Sequence, residues 1–190
     1  MRYLAHTALF LATLCLWGCG SMLASMQVDT IEEQHDQRTF GRMLEDSNVE
    51  TKVIVNLHAA DEAFHDAHVV AVSYNGYVLL AGQVNSETLK AKATEVVRAV
   101  RGVRRIYNEL EIAAPSSAMT RTSDAWITTK VKSLLISDND IEGTRVKVVT
   151  EDGVVYLLGL ATAAEAGRIA EKAAGVSGVQ RVVRLFELID

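Results

Sequence analysis

Residues 69–84 read VVAVSYNGYVLLAGQV, and residues 146–160 read VKVVTEDGVVYLLGL. Each stretch sets two β-rich runs around a dipeptide, Asn75-Gly76 in one and Asp152-Gly153 in the other. Such a pair closes a tight hairpin, because a type I′ turn needs positive φ at both central residues. Six residues after each pair comes a second glycine, Gly82 or Gly159, which predicts a bulge or a tight helix–sheet approach near the end of the second run.

The likeness extends outward from the hairpins. Thr51-Lys52-Val53 is echoed by Thr129-Lys130-Val131, Leu57 by Leu135, and Gly102-Val103 by Gly178-Val179, at an offset that drifts only from 78 to 76 residues. Two similar units in tandem are a simpler explanation than one intertwined domain. In the first, Val49, Val53 and Leu57 recur every four residues as the stripe of an amphipathic helix. The hairpin follows, with strands over Val69–Tyr74 and Tyr77–Val84. Ser86 then caps a helix that presents Leu89, Ala93, Val96 and Val97 and stops at Gly102. Val103–Ile112 alternates as a third strand. The second unit repeats the order: helix Ser123–Ser137, strands Arg145–Thr150 and Val154–Leu160, helix Thr162–Ala174, strand Val179–Leu188. The expected fold class is therefore α+β, each unit αββαβ with a three-stranded mixed sheet covered by two helices on one face. The units span 46–113 and 123–190, joined by a linker at 114–122 that holds Pro115 and several Ser and Thr residues.

The N-terminus reads differently. Arg2 precedes an apolar stretch from Leu4 to Trp17 that is too short to span a bilayer and has the layout of a secretory signal, residues 1–18. Leu16-Trp17-Gly18-Cys19 resembles a bacterial lipobox, which implies cleavage before Cys19 and acylation of its thiol. Residues 19–45 would then be a lipidated tether. Gly20, in place of aspartate, points by resemblance to sorting toward the outer membrane. Both cysteines lie in this region, so the remaining chain has no thiol for a disulfide or a metal.

The 19 basic and 24 acidic side chains give a net charge of −5, which excludes a global attraction to nucleic acid or anionic membrane. An anionic partner must be met by a local patch. On a helix over 123–137, Ile127, Val131, Leu134 and Leu135 form the expected core stripe, Trp126 stands at its edge, and Ile136 points away. An indole suits a membrane interface, where its ring sits among headgroups while its N–H stays wet. Lys130 and Lys132 can meet lipid phosphates. The matching position in the first unit is Asn48, which would not insert, so only the second unit is expected to dock. The competing reading has Trp126 packed over its own core or between the units.

The αββαβ order, the hairpin glycines and the Gly-Val before each last strand together resemble the BON domain. A lipobox followed by two such domains, with Trp126-Ile127-Thr128-Thr129-Lys130-Val131 in the second, is similar to the dual-BON outer-membrane lipoproteins. This resemblance implies a non-enzymatic, periplasm-facing protein of the outer membrane. It implies binding of anionic phospholipid, notably phosphatidylglycerol, through the first helix of the second domain, with Trp126, Lys130, Lys132, Ser133, Ile136 and Ser137 as the candidate contacts. Enrichment at the division site, support of membrane integrity and a functional link to the outer-membrane barrel-assembly machinery are implied with it. The alternative is a periplasmic protein-interaction scaffold using the same helix edge.

No catalytic signature is found: there is no nucleophile elbow and no phosphate loop. His58, His65 and His68, near Asp61, Glu62 and Asp66, have no counterparts in the second unit and read as solvated loop residues rather than a metal site. Arg98, Arg101, Arg104 and Arg105 read as a solvated face or a weak protein or polymer contact. No cofactor, nucleic acid or small-molecule substrate is expected.

Overall fold

The structure is a computed structural model and describes residues 39–189. The expected signal, Cys19 and most of the expected tether lie outside the described residues. The first helix, α1 (Phe40–Ala60), begins inside the expected tether, where the Thr39 side chain accepts the Arg42 N–H as an N-cap. Val49, Val53 and Leu57 are buried as the period requires. Strands β1 (His68–Tyr74) and β2 (Tyr77–Val84) form the hairpin, with φ of 51° at Asn75 and 76° at Gly76. Helix α2 (Glu87–Arg98) follows its Ser86 cap. The chain then returns along the other edge of β2 as two short parallel strands, β3 (Arg105–Asn108) and β4 (Glu111–Ile112). The expected single strand is interrupted because Leu110 turns fully into the core beneath the helices.

The second repeat has α3 (Ala118–Ile136), β5 (Val146–Glu151), β6 (Val154–Ala161), α4 (Ala163–Ala174) and β7 (Arg181–Leu188). Its sheet order is β5-β6-β7, antiparallel then parallel, the order and directions found in the first repeat. Here β7 runs unbroken for eight residues. Helix α3 starts at Ala118 on a Ser117 cap, so the five residues from Ala118 to Thr122 are helix rather than linker. The fold class is α+β, with two helices against one face of each mixed sheet.

Continuous burial along β2 and β6 has a cause outside the single repeat. The helix faces of the two sheets form separate cores, Val78, Leu80 and Val84 with α1 and α2, and Val155, Leu157 and Ala161 with α3 and α4. Their opposite faces form a third core: Val72, Tyr74, Leu79 and Ala81 from the first repeat meet Val154, Tyr156, Leu158, Leu160 and Leu185 from the second. The sheets therefore pack on each other, and both repeats belong to one compact unit. Tyr156 lies inside this layer, where burial pushes its hydroxyl up to about 12.

Polar ties cross the rim. Arg104 makes a bidentate pair with Glu187 at 2.7 and 3.0 Å, and the Asn75 amide donates to the same carboxylate. Lys147 reaches Glu50 at 2.6 Å, and His68 lies 3.2 Å from Glu151. At Gly82, φ is +109° and an added Cβ would fall 2.1 Å from the His68 carbonyl oxygen. The close approach that demands glycine is thus to the neighbouring strand, not to a helix.

Candidate membrane-docking surface

One device positions the leading helix in both repeats. Asp46 on α1 and Asp124 on α3 are each buried, and each aims its carboxylate at the hairpin turn of its own sheet. Asp124 accepts the N–H of Asp152 and of Gly153, both at 2.9 Å. Asp46 accepts the N–H of Asn75 at 2.8 Å and of Gly76 at 2.9 Å, and the Ser73 hydroxyl at 2.7 Å. A type I′ turn points these amides inward together, and a buried carboxylate satisfies both with charge-assisted bonds. The helix is fastened at its N-terminal half by this bond set and farther along by Ile127, Val131 and Leu135, all buried. Sequence reasoning missed the pair, although Asp46 and Asp124 stand at the offset of 78 that runs through this part of the repeat.

What α3 shows to solvent follows from that fastening. Trp126 is five residues from Val131, about 140° around the helix, so it stands nearly opposite the core rather than at its edge. Its side chain is half exposed, at 51%. The Lys130 ammonium lies over the indole, 5.4 Å from the ring centroid. Ser133 and Ser137 continue the same line, both exposed, with the Ser137 hydroxyl donating to the Leu134 carbonyl. Ile136 is exposed on one flank. Leu134, expected in the core, is exposed on the other, because the core side at that turn is filled by Val131 and Leu135. Met119, in the added helical turn and seven residues before Trp126, is also exposed and shares its side. The apolar residues from Met119 to Ile136 thus cover about 26 Å of helix length.

Lys132 is placed differently. It is half-buried on the flank of α3, and its ammonium donates to the Gly143 carbonyl at 3.4 Å and to the Val146 carbonyl. Burial, with the nearby Lys147 charge, holds its pKa below the ordinary lysine range. It satisfies backbone carbonyls where the chain enters β5, so it does not join the Trp126 face. The acidic side chains are equally informative: on α3 the one carboxylate is the buried Asp124. The exposed surface of this helix therefore carries no negative charge in a chain with an acidic balance. On α1, by contrast, Asn48 occupies the position of Trp126, and Glu45 lies one turn before it, paired with Arg42.

The loop histidines have other neighbours than a metal site would supply. His58 stacks on His65 with ring centroids 4.5 Å apart, His68 faces Glu151, and Asp61 pairs with Lys92 at 2.8 Å. Among the described residues no group of three or more metal-ligating side chains converges. Arg104 and Arg105 lie against Tyr77, and Arg104 is committed to Glu187.

These observations define a tandem of two similar small α+β modules, and the comparison with known families agrees. Residues 45–114 and 123–190 each match the BON domain, so the chain belongs to the BON-domain family. It is similar over its length to the outer membrane lipoprotein DolP of Haemophilus influenzae, 36% identical with 94% of this chain and 93% of that protein covered. It is also similar to the 21 kDa hemolysin of Actinobacillus pleuropneumoniae, at 34% identity over 81% of this chain and 79% of that one. A third relative, the osmotically-inducible protein Y of Escherichia coli, is 28% identical over 86% of this chain and 85% of that protein.

Proposed function

We propose that this protein is an outer-membrane lipoprotein, anchored through Cys19, whose second BON domain docks on anionic phospholipid through α3. The observation that carries the reading is the exposed, acid-free face of α3, with Trp126 half out of the protein and Lys130 held over its ring. The similarity to a relative named an outer membrane lipoprotein supports the compartment. Trp126 would enter the headgroup layer flanked by Met119, Leu134 and Ile136, while Lys130 swings from the ring to a phosphate. Lys130 contributes about 1 kcal/mol near an anionic surface. That alone is too little to hold the protein on a membrane; insertion of Trp126 and the exposed apolar side chains beside it supplies the rest, and the acyl chains add the permanent anchor. Docking instead fixes which lipid the tethered module settles on. Phosphatidylglycerol is the expected headgroup, and enrichment at the division site with support of membrane integrity would follow from where such lipid gathers.

The test is co-flotation of residues 20–190, which lack the lipid anchor, with phosphatidylglycerol vesicles. The parent floats and Trp126→Glu does not, with circular dichroism unchanged between them. Equal flotation of the two proteins would contradict the reading and turn attention to a protein partner on this face.

A further inference from the structure

The two repeats differ at one edge. In the first, the outer edge strand is short and broken, four residues of β3 and two of β4. It is also sewn to the helix above it: the Asn108 amide donates to the Lys90 carbonyl and to the Thr94 hydroxyl, both at 2.7 Å. In the second repeat the equivalent strand, β7, is continuous from Arg181 to Leu188. Arg184 occupies the position of Asn108, and Ala166 and Ala170 occupy those of Lys90 and Thr94. No side-chain acceptor is left at the Thr94 position, so the strand lacks that tie to its helix. A groove of about 240 Å³ lies there, lined by Ala163, Ala166, Arg184, Phe186 and Leu188.

Among the described residues β7 pairs only with β6, and no backbone hydrogen bond leaves its outer edge for another segment. An unbroken edge of this length presents a row of free N–H and C=O groups, a template for another strand. The charge along it selects the occupant. Arg181 and Arg184 are exposed on opposite faces of the strand and form no ion pair among the described residues, whereas the carboxylate of Glu187 is already held by Arg104. A second copy of this chain, added edge to edge, would bring four arginines to one ladder while each Glu187 is already held by its own Arg104.

We propose that the β7 edge receives an extended acidic segment of a partner protein as an added strand. Its backbone pairs with β7, one carboxylate meets Arg181 on one face and another meets Arg184 on the other, and an apolar side chain beyond the second, on the Arg184 face, enters the groove against Phe186 and Leu188. This site is independent of lipid docking. Helix α3 packs over β5 and α4 over β7, so the lipid face and the groove lie at opposite edges of the sheet, and one does not obstruct the other.

The test uses residues 20–190, which contain every described element, and two synthetic eight-residue acetylated valine peptides that carry two charged residues three positions apart, so that one charge falls on each face of the added strand: glutamates in one peptide and lysines in the other. By amide NMR, the glutamate peptide shifts Val182–Leu188 and slows exchange of their outward N–H groups, and the lysine peptide does neither. Arg181→Glu with Arg184→Glu reverses this preference. Arg184→Asn with Ala170→Thr, which rebuilds the tie of the first repeat, weakens glutamate-peptide binding at least about tenfold while leaving circular dichroism unchanged. Equal binding of both peptides, shifts confined to α3, or no binding would overturn the proposal. So would a dimer whose interface maps to β7, or phosphatidylglycerol vesicles that shift the β7 amides in place of those on α3.

Discussion

Replacing Asp124 with alanine should unsettle more than the turn it touches. The carboxylate accepts two turn amides, those of Asp152 and Gly153, and Gly153 is buried. Hydrogen bonds to charged groups contribute about 1.5–3 kcal/mol each, and part of this returns when the freed amides find water. The expected loss is about 3 kcal/mol. For a unit of this size each kcal/mol lowers the melting temperature by about 2–4 °C, so the variant should melt roughly 6–12 °C early. Asp124→Asn should fare little better, since its amide nitrogen would face one of the two N–H donors. Asp46→Ala, which loses a third partner in Ser73, should cost somewhat more. The assay is urea unfolding followed by far-ultraviolet circular dichroism and by Trp126 fluorescence. Because Tyr156, Leu158 and Leu79 share one core between the sheets, both probes should report a single transition, and either aspartate variant should move it. A loss below about 1 kcal/mol, or two separate transitions of which each variant moves one, would refute the reasoning.

Three substitutions test the packing and its rim. Gly82→Ala should destabilise by at least about 2 kcal/mol, because its Cβ would collide with the His68 carbonyl at a φ that side chains avoid. Gly167→Ala, in the middle of α4 with nothing near its added Cβ, should instead stabilise by about 0.5–1 kcal/mol; thermal melts read both. At Glu187, burial pushes the pKa up, but the hydrogen bonds from Arg104 and Asn75 and the Arg104 charge outweigh it and hold the carboxyl below 4.5. A carboxylate with a lowered folded pKa stabilises above its unfolded value and loses that contribution as pH falls through the folded one. The parent should therefore melt above Glu187→Gln at pH 7, with the gap narrowing as pH falls below the ordinary glutamate range and through the lowered folded pKa, and a gap that does not narrow at all on acidification would count against the rim pairing.

The hairpins, the helix stripes and the repeat were legible because each rests on local pattern: positive-φ turn residues, a four-residue apolar period, a constant offset. Sheet-on-sheet packing was not read, although the unbroken run Val78-Leu79-Leu80-Ala81 carried its signal. A strand buried on one face alternates, and four consecutive apolar residues mean that both faces are covered. The extra turn of α3 was hidden by Ser116, Ser117 and Thr120, which read as linker while Ser117 serves as the N-cap. That misplaced start also hid Met119. Lys132 was assigned outward because sequence spacing gives its direction on the helix but not the carbonyls waiting beneath it. The break between β3 and β4 depends on Leu110 choosing the core over the strand, a tertiary preference that local alternation does not encode.

The central claim is that the indole of α3 faces outward to meet lipid. Within residues 20–190 Trp126 is the single tryptophan, since the other in the chain is Trp17, so its emission reports that face alone. Titration with phosphatidylglycerol vesicles should shift this emission to the blue and make it quenchable by bromine placed shallowly on the acyl chains, while phosphatidylcholine vesicles leave it unchanged. An emission maximum that stays fixed in both lipids, with no bromine quenching, would contradict the account.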